Sequence, residues 1–99
     1  EEASLLGARL VGATLKDAVL CRVKAVRADL SEADLSGADL SHADLSHALG
    51  RRANLRNTNL HRVVERGADF TDADRAGARP TDRDLAEAED WKPPPEDRR

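Results

Sequence analysis

From Ala3 to Ala78 the apolar residues recur in a fixed phase of five. Of the 16 windows that start at Ala3 and step by five, 13 begin with Ala, and the third position is Leu in ten and Phe in one. The stretch ADLSEADLSGADLSHADLSHA, residues 28–48, shows the pattern most regularly. On a helix, five residues advance about 500°, which would smear the Leu series around every side. Ser, Asp and Gly within the windows also disfavour a helix. A long strand would need strict alternation. Each window instead runs in, out, in, out, out: a short strand-like side and then a corner. Repeated, this winds the chain into a coil with Ala and Leu inside, successive coils lying about 4.8 Å apart.

The windows Ala28-Asp29-Leu30-Ser31-Glu32, Ala33-Asp34-Leu35-Ser36-Gly37 and Ala53-Asn54-Leu55-Arg56-Asn57 read A-[DN]-L-x-x. They resemble the pentapeptide repeat family, and the resemblance runs over residues 3–82. It implies an all-β solenoid: a right-handed quadrilateral β-helix with four pentapeptides per coil and about four coils over residues 1–81. The expected core is Ala28, Leu30, Ala33, Leu35, Ala38, Leu40, Ala43, Leu45, Ala53, Leu55, Leu60 and Phe70. Residues 82–91 are expected to form a short C-terminal helix capping the last coil. Thr81 would be its cap, Asp84 would follow three later, and Leu85, Ala88 and Trp91 would share a face. Residues 92–99, with three consecutive prolines, read as an extended mobile tail.

Composition sharpens this picture in a few places. The chain of 99 residues is enough for one small domain, and its only aromatic side chains are Phe70 and Trp91, so the core must be thin and regular. Lys+Arg 16 against Asp+Glu 19 leaves no basic footprint for nucleic acid. One cysteine, Cys21, excludes an internal disulfide and suits a reducing cytoplasm. No apolar run is long enough to span a membrane, so no membrane partner is expected. The chain contains no Met, from which a piece of a longer protein is expected, and its Ala-, Arg- and Asp-rich usage suits a GC-rich bacterial genome.

With twenty residues per coil, positions twenty apart stack in columns. Gly12, Glu32, Arg52 and Asp72 form one column, and Arg9 lies over Asp29 and Lys24 over Asp44. These read as surface charge ladders that fix register. Asp29, Asp34, Asp39 and Asp44 ring one coil, one per side. His42 stacks between Arg22 and Arg62 with His61 nearby, a modestly basic face suited to an anion or an acidic partner. His42, His47 and His61 are expected to be solvated surface residues. No catalytic, cofactor or metal site is expected, and Cys21 has no base beside it that would make it a nucleophile.

The interruptions cluster late. Gly50, Glu65, Arg75 and Pro80 stand where the phase calls for Leu. Gly50 is expected to mark a bulge that turns Leu49 inward. Glu65 and Arg75, two windows apart on opposing faces of the last coil, are expected either to pair inside or, in preference, to fray or bend the coil so that both reach water, because an unpaired buried charge is costly. At the other end Leu5, Leu10, Leu15 and Leu20 start the first coil bare, and Leu6, Val11, Val19 and Val26 add exposed apolar positions near it on three of the four faces. This apolar, uncapped end is the candidate interface, with a homodimer through an end of the solenoid as one expectation.

The functional expectation is a non-enzymatic rigid scaffold: a protein–protein interaction module, cytoplasmic, within a larger bacterial protein and with no cofactor. The family resemblance implies an alternative. Some pentapeptide repeat proteins imitate duplex DNA, bind DNA gyrase and confer resistance to quinolones or other gyrase poisons. Residues 3–80 fit that poorly, with 12 basic against 10 acidic side chains, a balance of +2.

Overall fold

Each window begins extended and ends in a turn. The N–H of its first residue donates to the carbonyl of the third residue of the window before, as Ala33 does to Leu30 at 3.0 Å. From Gly7 to Gly77 the fifth residue of every window has φ between 57° and 72°, the requirement of a type II turn in its third place. Ten of these corner residues are not glycine. An L-residue there costs about 1–2 kcal/mol, and such a conformation persists only where its surroundings over-determine it. In the computed structural model, which describes residues 4–93, two sets of bonds do so.

The first set is local. Oδ1 of Asp34 accepts the N–H of Ser36 at 3.0 Å and its hydroxyl at 2.7 Å. Asp29, Asp39, Asp44, Asp69 and Asp74 accept the N–H two residues on in the same way, and so do Asn54 and Asn59. This Asx bond is why the second position favours Asp or Asn. The second set runs between coils. Asp34 donates to the Ala13 carbonyl below, while Leu35 and Gly37 donate to Asn54 and Arg56 above, each at 2.8 Å. Parallel bridges join residues twenty apart, from Ser4↔Lys24 to Asn59↔Arg79. They stack residues 4–22, 23–42, 43–62 and 63–81, here called the first to fourth coils.

The core is the stacked Ala and Leu. Ala28, Leu30, Ala33, Leu35, Ala38, Leu40, Ala43, Leu45, Ala53, Leu55 and Leu60 are all buried. Val23, Ala25, Ala48 and Thr58 join them. Thr58 fits because its hydroxyl donates to the Leu55 carbonyl at 2.8 Å. Phe70 is half-buried and packs on this cluster.

Gly50 is not a bulge. It is buried in phase, Leu49 stays 40 % exposed, and Leu49 keeps its bridges to Asp29 and Asp69. The reason lies one coil on: a side chain at Gly50 would run into the Phe70 ring. The glycine yields its space to the larger ring stacked on it.

The fourth coil is not frayed. Val64, Asp69, Asp74 and Arg79 bridge regularly to the coil before. Arg75 and Glu65 reach across its open mouth and pair at 2.7 Å, 42 % and 31 % exposed. The Arg75 guanidinium also lies 5.2 Å from the Phe70 ring centre. Inward positions in this coil face water along the solenoid axis, so the charges meet each other without being sealed in.

The helix α1 spans Arg83–Asp90. Its N-cap is Asp82, not Thr81: the Asp82 carboxylate accepts the Leu85 N–H at 3.1 Å. The Thr81 hydroxyl instead accepts the N–H of Arg62 at 3.0 Å. No residue of α1 is buried, and Leu85 and Trp91 are 47 % and 67 % exposed. Leu85, Ala88 and Trp91 are therefore not the face that seats the helix on the coil, contrary to the sequence expectation; Ala86 is the one half-buried residue of α1. The acidic side of the helix seats it. Of the expected tail, residues 94–99 lie outside the described residues.

Candidate functional site

The densest cluster of titratable side chains sits where α1 folds back along one corner of the solenoid. Arg22, His42 and Arg62 are the corner residues of the first three coils, all at positive φ, so the repeat aligns them in one column. His61 precedes Arg62. Glu89 reaches into this column, accepting a hydrogen bond from His61 at 2.9 Å and one from His42 at 3.0 Å. Arg62 donates to Asp90 at 2.9 Å and to the Ala86 carbonyl at 3.2 Å, and stands 3.5 Å from Glu89. The two imidazoles meet edge to face, 5.3 Å between centres. The bonds from His61 and then His42 hold the Glu89 carboxyl below its usual range, against the cost of burial.

The sequence places all three histidines in solvent. His61 is instead only 4 % exposed, because α1 covers it. Its Nδ1 accepts the N–H of Asp82 at 3.0 Å, so its single proton sits on Nε2 and points at Glu89. His42 is half-buried in the same contact, and His47 stays exposed. What could have revealed this is the opposed charge of His61-Arg62 and Glu89-Asp90, which gains meaning only once α1 folds back.

One ligand atom from each of His42, His61 and Glu89 lies within 4.8 Å of the others, a donor set of the kind zinc takes. The bonding does not fit a metal. A ligating Nε2 on His61 would need the proton on Nδ1, where the Asp82 N–H already points. With α1 docked, both imidazoles are engaged in hydrogen bonds to Glu89 and the His61 Nδ1 is taken by the Asp82 N–H.

Other sequence-singled residues are scattered. Leu5, Leu10, Leu15 and Leu20 turn inward and pack on the core from the first coil. Leu6, Val11 and Val19 are exposed, and Val26 is half-buried. Leu6 and Val26 stack on one side while Val11 and Val19 sit on two others, so the four make no single patch. Cys21 is half-buried. Of the charge ladders, Arg52 meets Glu32 at 3.7 Å. Arg51–Asp69 at 2.8 Å and Arg56–Asp74 at 3.8 Å run between side positions of successive coils instead of along one column. Each Asp of the ring spends one oxygen, Oδ1, on its own turn. In Asp29, Asp34 and Asp44 the neighbouring Ser hydroxyl, then the Ser N–H, lowers the carboxyl's pKa. Among the described residues no buried side-chain polar atom lacks a partner, and no helix is long and apolar enough to cross a membrane.

A four-sided coil of Asx-stabilised turns, stacked at twenty residues, defines a class of β-solenoid. The model of the Pentapeptide repeats family matches in eight copies, over residues 1–37, 15–49, 28–64 and 51–79. The chain belongs to this family, whose fold is the right-handed β-helix. Among solved structures it is similar to HetL of the cyanobacterium Nostoc sp. strain PCC 7120, a pentapeptide repeat protein involved in regulating heterocyst differentiation. That match has 35 % identity and a TM-score of 0.56, over 78 % of this chain and 39 % of that one. It is also similar to Rfr23 of the cyanobacterium Cyanothece 51142, at 30 % identity and TM-score 0.45, over 80 % of this chain and 56 % of that one. QnrB1, a plasmid-mediated fluoroquinolone resistance protein, matches at 18 % identity and TM-score 0.44, over 76 % of this chain and 42 % of that one. The chain thus spans well under two thirds of each of these proteins. No curated protein sequence matches it.

Proposed function

We propose that the chain is a non-enzymatic, rigid four-coil scaffold that presents flat faces to a protein partner in a bacterial cytoplasm, as the repeat-bearing part of a larger protein. One observation supports this above the rest. The repeat's recurrent carboxylates serve its own turns: Asp29, Asp34, Asp39 and Asp44 each bond through Oδ1 to their own corners. A solenoid built this way is stiff because each coil is fixed by the next. The similarity to HetL, named for a role in regulation, is in keeping with a binding module.

The competing reading is imitation of DNA toward gyrase. Against it stands the near-neutral balance of the solenoid, with 12 basic against 10 acidic side chains over residues 3–80. The test is gyrase supercoiling with added protein, with and without a quinolone, the fold being checked by circular dichroism. Supercoiling unchanged at micromolar protein is the expected outcome. Inhibition of gyrase, or its protection from the drug, would overturn the scaffold reading in favour of mimicry.

A further inference from the structure

The corner column is only partly used. α1 supplies carboxylates to His42 and Arg62, but the helix ends at Asp90 and the next residues are Trp91 and Lys92. Arg22, one coil further along, makes no side-chain hydrogen bond or ion pair among the described residues. A groove of about 450 Å³ lies between Arg22, His42, Arg62, Glu89 and Asp90. The occupant in place shows what chemistry the column takes: carboxylates on a helix. Spacing agrees, because coils step by about 4.8 Å and three residues of helix rise about 4.5 Å.

We propose that this corner is the docking site for an acidic helix of a partner protein, and that α1 holds the site in cis until such a helix displaces it. This rests on the scaffold reading and names its binding face. A partner helix with acidic residues at i, i+4 and i+7 would meet Arg62, His42 and Arg22 together, adding Arg22 to the column while giving up the bond that Glu89 makes to His61. Displacement gives up the bond of Glu89 to the buried His61, but α1 buries none of its own residues, and its ion pairs to His42 and Arg62 are partly exposed to water and yield to salt.

The test uses the full chain and a fluorescein-labelled, Ala-rich helical peptide with Glu at i, i+4 and i+7. Anisotropy is read on the wild-type chain, on Glu89→Gln/Asp90→Asn, and on that variant with Arg22→Gln added. Circular dichroism confirms that each is folded. With the cis carboxylates neutralised, the peptide is expected to bind roughly tenfold tighter than to wild type, the value of about two exposed ion pairs. Adding Arg22→Gln is expected to reverse a good part of that gain. On the wild-type chain, saturating peptide is expected to change the fluorescence of Trp91, the only tryptophan, as α1 lifts. Equal affinity for the wild-type chain and the carboxylate variant, or no effect of Arg22→Gln, would overturn the proposal. Failure here would remove this corner as the docking face and leave the scaffold reading, which the gyrase assay decides separately.

Discussion

Gly50 and Phe70 hold the same inward position one coil apart. One has no side chain, and the other is larger than the Leu its slot repeats elsewhere. Each looks like a fault alone, and together they fill one column. Gly50→Leu is expected to destabilise by about 1–3 kcal/mol, because the new side chain meets the ring. Phe70→Leu is expected to cost about 1 kcal/mol or more through the gap left beside Gly50. The double variant Gly50→Leu/Phe70→Leu restores a Leu column after Leu10 and Leu30 and is expected to recover most of the loss. Urea unfolding of all four proteins gives the coupling directly; additive losses would show that the two sites do not compensate each other. Reading Gly50 as a bulge fails for a physical reason: its partner is twenty residues away, and only the stacked coil brings them together. His61 fails in the same way, since what buries it is a helix that begins at Arg83.

The turn is the element on which acid acts. In the native state, bonds from the Ser hydroxyl and N–H lower the carboxyls of Asp29, Asp34 and Asp44. The Thr71 hydroxyl and Arg51 bring Asp69 down to about 2. An unfolded Asp titrates near about 3.9. A carboxyl lowered on folding contributes stability that is complete above its unfolded value and lost as pH falls through its folded one. The β-type circular dichroism is therefore expected to hold at neutral pH and decay between about pH 4 and about pH 2. Asn54 and Asn59 make the same turn bond with an amide, so the chain contains its own control. The combined substitution Asp34→Asn and Asp44→Asn is expected to fold normally at pH 7 and to move the acid midpoint lower. A midpoint left in place would show that these turns are not the acid-sensitive elements. The sequence made the side-and-corner element legible, because Ala, Asp and Leu recur in phase. It did not make the seating of α1 legible: Leu85, Ala88 and Trp91 suggest an apolar face toward the coil, whereas Glu89 and Asp90 find cations there.

At the scale of the whole molecule, the fourth coil is a stop. A sheet edge exposes unpaired N–H and C=O groups and invites another edge to pair with it. Pro80 has no N–H to offer a further coil, and the Glu65–Arg75 pair places charge over the mouth. Replacing both residues, Glu65→Leu/Arg75→Leu, returns the coil to the repeat's own pattern and exposes apolar surface at the end. That variant is expected to keep its β-type spectrum and to associate with rising concentration, as read by light scattering against the parent chain. A variant that scatters like the parent at every concentration would show that the charges do not guard the end. The bridges carry a last consequence, for how such a chain can change over evolution. Every bridge spans twenty residues, so adding or deleting twenty residues changes the length by one coil and leaves every surviving column aligned. Adding or deleting five turns everything downstream by a quarter revolution. The corner that holds Glu89 would then be assembled from different columns, with Arg62 no longer above His42. Growth in this protein is therefore counted in whole coils, and the geometry of its surface tolerates no smaller step.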